Sequence, residues 1–121
     1  MINSTLGKVV TAHGAINRIR QRVKGHDALN LFHMKNMLKE KVDFVVEEEA
    51  KLIEQYGGIV NDYGMVSFSD KEKKKEYNKD HKELDDMECE IATDPLSMSL
   101  EKNPDITLED IEQLDGFINF K

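Results

Sequence analysis

Asp27-Ala-Leu-Asn-Leu31-Phe-His-Met34-Lys-Asn-Met-Leu38-Lys-Glu-Lys-Val42-Asp-Phe-Val45-Val-Glu-Glu-Glu-Ala-Lys-Leu52-Ile-Glu-Gln-Tyr56 holds no proline and no glycine, and this stretch decides the fold. Leu31, Met34, Leu38, Val42, Val45, Leu52 and Tyr56 recur at helical spacing, with Phe32, Phe44, Val46 and Ile53 widening the stripe on both sides. Asp27 has the chemistry of an N-cap, and Gly57-Gly58 closes the helix. A helix over residues 27–56 is about 45 Å long, whereas a compact chain of this size is about 35 Å across. Such a rod overhangs its own domain. Its stripe therefore predicts a homo-oligomer, most simply a dimer, with Leu31, Leu38, Val42, Val45, Leu52 and Tyr56 at the interface.

Upstream, Leu6, Val9, Val10, His13, Ile16, Ile19 and Val23 predict a first helix, starting after a cap at Asn3 or Ser4 and ending at the Lys24-Gly25-His26 turn. Gly14 inside it reads as a weak spot, since glycine costs about 1 kcal/mol against alanine. Downstream, Ile59 to Phe68 alternates about Asn-Asp-Tyr-Gly and predicts a small hairpin. Ser69 and Glu72 have capping-box spacing for a third helix from Asp70, whose narrow seam of Tyr77, Leu84, Met87 and Ile91 leaves it largely solvated. Residues 88–92 and Leu96, Met98 and Leu100 read as short extended segments, and Thr107 with Asp110 caps a short last helix. The tail Phe117-Ile118-Asn119-Phe120 is apolar enough to fold back on the core. The expected fold is mainly α with minor β: one domain over 1–121, with a long helical hairpin, a short β-hairpin, a third solvated helix and a short C-terminal helix.

Charge is sorted along this frame. Residues 1–41 carry eight Lys/Arg against Asp27 and Glu40, and the rest carries nine against twenty-two acids, so a net −7 divides into +6 and −13. Arg18, Arg22, Lys24, His26 and Lys35 converge where the first two helices turn, and they form the candidate anion-binding set. Two readings stand side by side: these cations take a ligand, or they pair with the acidic remainder of this chain or of a second copy. The second has the stronger case, because opposite charge is abundant and Asp27 already occupies the cap. Duplex nucleic acid is disfavoured as a partner, since −13 elsewhere repels phosphates.

No other chemistry stands out. His13 lies on an apolar stripe and reads as a hydrogen-bonded core residue, His26 as an exposed turn residue, and His33 flanks the long helix. His81 and Asp85, one turn apart, are half a metal site without further ligands, so no metal is assigned. The acidic run Glu47 to Glu49 points around its helix and reads as a solvated face. Cys89, the single cysteine, reads as an inert half-buried thiol. No phosphate loop, nucleophile elbow or Cys/His pair occurs, so neither an enzyme nor a cofactor is expected. No apolar run is long enough for a membrane span and the N-terminus lacks a signal-peptide pattern, which places the protein in the cytoplasm.

One resemblance adds to this reading. The stretch Leu38 to Gly57, then Ser69, Glu76-Tyr-Asn-Lys79, Glu83-Leu84 and the closing Ile106-Thr-Leu-Glu-Asp-Ile-Glu-Gln-Leu-Asp-Gly-Phe-Ile118, resembles small proteins of phages and prophages of Firmicutes that form a domain of unknown function. The likeness covers most of residues 15–120 and departs at the junction of the first two helices, which is more basic here. It implies a phage origin and a non-enzymatic binding role in the host cell. Two roles fit: counter-defence, by occupying a host immune protein or sequestering a nucleotide-like signal, and structural accessory work in virion or tail assembly.

Overall fold

The computed structural model describes residues 1–121. Its spine is the long helix, His26–Gln55. Gly25, at φ 65°, turns the chain into it, and Gly57, at φ 68°, turns the chain out. Asp27 is not the cap that its position suggested. Its carboxylate accepts from the Asn103 side-chain amide at 2.7 Å and from the Ser99 backbone N–H at 3.3 Å. Asn103 is buried and must find partners, so Asp27 ties the 99–103 segment to the start of the long helix.

In chain order the elements are β1 (Ile2–Thr5), α1 (Leu6–Ile19), α2 (His26–Gln55), β2 (Ile59–Val60), β3 (Val66–Ser67), α3 (Lys71–Asp85), β4 (Glu88–Ile91), β5 (Leu96–Met98), α4 (Leu108–Gln113) and β6 (Ile118–Phe120). The mainly α class with minor β holds. Residues 2–5, expected to lead into a helix, form a strand antiparallel to β4, with Ile2 opposite Ile91 and Thr5 opposite Glu88. Both isoleucines are buried by that pairing, and Thr5 becomes the cap of α1, its hydroxyl accepting from the Lys8 N–H. α1 stops at Ile19, although Val23 still reaches the core.

The hairpin and the last helix match their local signals. Asn61 Oδ1 accepts from the N–H groups of Tyr63 and Met65, and Gly64 supplies φ 77°. Thr107 and Asp110 complete a reciprocal capping box. α3 is capped by Asp70 in place of Ser69. The tail returns to the core, and β6 pairs in parallel with β5.

One main core joins Val9, Ala12, Ala15, Ile16 and Ile19 of α1 to Leu31, Met34 and Leu38 of α2, closed by Ile91, Met98, Leu114, Phe117 and Ile118. A second, smaller cluster of Leu6, Val45 and Leu84 joins α1, α2 and α3. These clusters overturn the interface expected along α2. Leu31, Leu38 and Val45 are buried inside their own chain, Val42 packs on the main core, Leu52 packs on the smaller cluster, and the Tyr56 hydroxyl donates to Asp80 of α3. A comparison of α1 with α2 alone leaves out α3, which folds back along the far half of α2 and covers it by its one narrow seam. The overhang is thus met from within.

α3 is held there by ionic contacts as much as by apolar ones. His81 Nε2 lies 2.6 Å from Glu49 on α2 and Nδ1 lies 3.2 Å from Asp85, so each ring nitrogen faces a carboxylate. The hydrogen bond to Asp80 pushes the Tyr56 phenol up to about 12, which keeps it a donor. Gly7 is where α1 meets the end of α3: a Cβ there would stand 3.0 Å from Asp85 Cβ. Gly14 meets no such neighbour and is the weak spot its position suggested.

Candidate anion-binding groove

The five cations named from the sequence do not form one site. Arg18 in the last turn of α1 and Arg22 in the turn that follows it face α4 and converge on Asp110, whose side chain is only 5% exposed. Arg18 Nη2 lies 3.5 Å from Asp110 Oδ1, and Arg22 Nη2 lies 3.8 Å from Oδ2. Arg18 also donates to the Gln113 amide oxygen, and Arg22 donates to the Asp105 carbonyl at 2.9 Å. Since Asp110 also accepts from the Thr107 N–H, the pair answers a buried carboxylate and closes α4 onto α1. For these two residues the internal ion-pair reading holds. Lys24 and His26 are exposed around the turn before α2.

Lys35 goes elsewhere. With Arg20, at the end of α1, it lines a groove of about 400 Å³ beside α2. Ile16, Ala28 and Leu31 also line it, and Gln21, Asn36 and Phe32 complete it. A volume of this order falls within the range of small-ligand sites. Neither Arg20 nor Lys35 pairs with a carboxylate, although the protein is strongly acidic overall. Phe32 stands 64% exposed, so its ring is open to solvent beside the two cations.

His13 reports the field beside this groove. It is half-buried rather than a core residue, with Nδ1 3.4 Å from the Asn17 amide nitrogen. Its pKa is lowered first by burial and then by the positive charge of Lys35, with Lys39 adding to this and Asp43 opposing it. The imidazole therefore stays neutral where an isolated histidine would begin to charge, mainly because burial disfavours its charged form and secondly because Lys35 is near.

Sequence reasoning found Lys35 and missed Arg20, Gln21, Phe32 and Asn36. Phe32 was read as a widening of the core stripe, yet it adjoins Leu31 and so falls off that stripe, one turn before Lys35 on the same side of α2. An off-stripe aromatic one turn from a cation was the available signal.

The remaining clusters are structural. Cys89 is half-buried and burial pushes its thiol up, so it stays protonated and unreactive. No helix is long and apolar enough to cross a membrane. Fold and groove together define a small helical protein with a cationic cleft between two helices. Comparison with known proteins adds no relative: no family model, no curated protein and no solved structure matches the chain.

Proposed function

We propose that this protein acts by binding and not by catalysis, and that its ligand is an anion held between α1 and α2. The observation that supports this reading is the placement of Arg20, at the end of α1, and Lys35, on α2, in the lining of one groove, with no carboxylate paired to either in an acidic protein. Arginine brings a planar fork suited to phosphate or carboxylate, and lysine adds a mobile point charge. The resemblance to small phage and prophage proteins makes counter-defence in the host cytoplasm the natural setting, through a host immune protein or a nucleotide-like signal.

The experiment is thermal melting in a series of pyrophosphate concentrations. A ligand at a hundred times its dissociation constant stabilises the native state by about 2.7 kcal/mol, so a rise in melting temperature that disappears in Arg20→Ala/Lys35→Ala is the expected result. No rise at any concentration contradicts the reading.

A second reading, a structural accessory of virion or tail assembly, draws on a different surface. Ile59, Val60, Tyr63 and Met65 expose a small apolar face on the β2–β3 hairpin. A homo-oligomer belongs with this reading and would use that hairpin, since the α2 stripe is covered. Light scattering tests it: a mass above 13.9 kDa that falls to the monomer value in Ile59→Ser/Met65→Ser supports assembly through the hairpin, and a monomer at all concentrations removes it.

A further inference from the structure

A bare anion would use only part of the groove. Inorganic phosphate would engage Arg20 and Lys35 and leave the exposed Phe32 ring against water. What remains is one open aromatic face at the rim, and two side-chain amides, Gln21 and Asn36, each offering a donor and an acceptor. A flat heteroaromatic ring with a hydrogen-bonding edge has the complementary chemistry: its face stacks on phenylalanine and its edge is read by amides. A polymer duplex offers no free ring face and is repelled by the net charge of −7.

We propose that the groove takes a mononucleotide, with the base laid on Phe32, its edge toward Asn36 and Gln21, and the phosphate between Arg20 and Lys35. This rests on the anion-binding reading above and gives it a ligand class. The phosphate lies where the charge of Lys35 is already felt by His13, so occupancy is reported by that imidazole as well as by heat.

The test is calorimetric titration of the full chain with AMP, UMP, adenosine and inorganic phosphate, with the His13 ring resonances followed by NMR. The expected result is that a mononucleotide binds at least about tenfold tighter than phosphate or adenosine alone, the range that stacking of one base supplies, and that binding shifts His13. Phe32→Leu should lose about tenfold in nucleotide affinity and none in phosphate affinity. Asn36→Ala, at a second exposed position, should weaken the nucleotide and again spare phosphate. Equal affinity for nucleotide and phosphate, or an unchanged Phe32→Leu variant, overturns the nucleotide assignment while the anion site stands, whereas binding that leaves His13 unmoved puts the phosphate away from Lys35 and overturns both. If neither phosphate nor nucleotide binds, both fail together.

Discussion

The end of α1 and the turn after it carry arginine on two sides, and the two sides use it in opposite ways. On the side toward α4, Arg18 and Arg22 surround the buried carboxylate of Asp110. On the side toward α2, Arg20 has no carboxylate and shares a groove with Lys35. The residues are close in sequence and chemically alike, so residue type does not distinguish them. What distinguishes them is whether the chain itself supplies the counter-charge. A cation answered from within belongs to the fold, and one left open is available to another molecule.

The sharpest way to break this contrast is to empty the first face. Arg18→Ala/Arg22→Ala leaves Asp110 buried with only its capping contacts, and the loss should be about 2 kcal/mol in urea denaturation, in the range for hydrogen bonds to charged groups. A change near zero would mean that the α4 side is as dispensable as the groove side. A smaller effect sits between the faces, at His13. Its pKa is lowered in the folded protein, so as pH falls below about 6.5 the unfolded chain takes up its proton first. Stability is then full above that pH and declines as pH drops toward the folded value. His13→Asn should flatten the decline in melts across pH 7 to about 5, and an unaltered slope would show that neither burial nor Lys35 lowers the affinity of the ring for its proton. The smallest effect is expected at the second face: Arg20→Ala/Lys35→Ala should leave stability within about 0.5 kcal/mol while abolishing the response to pyrophosphate. If that variant unfolds as easily as the first, the contrast is lost.

Legibility in the sequence followed the range of the interaction. The span of α2 was readable to about a residue, because its stripe and the glycines that bound it are local. The hairpin about Asn61 and Gly64 and the capping box of Thr107 and Asp110 were readable for the same reason. Ile2–Thr5 was not, since Ile-Asn-Ser-Thr has the composition of a helix cap and becomes a strand only through Glu88–Ile91, far along the chain. Asp27 failed likewise: its local chemistry is that of a cap, and Asn103 outbids the helix for its carboxylate. The covering of α2 was missed because α3 looked too polar to matter, and a seam built on Leu84 with His81 and Tyr56 as polar fasteners sufficed. At the site, Lys35 was legible, but which arginines face α4 depends on where the last third of the chain packs.

Residues 88–98 impose an order on folding. Glu88–Ile91 pairs with the strand before α1, and Leu96–Met98 pairs with the strand after α4. Helical turns close in microseconds, whereas contacts of such separation form late. A ribosome must release residue 118 before Ile118 can seal the main core, so the folding of this protein is deferred until synthesis has passed that point. In the interval the apolar faces of α1 and α2 lack the strand that closes them.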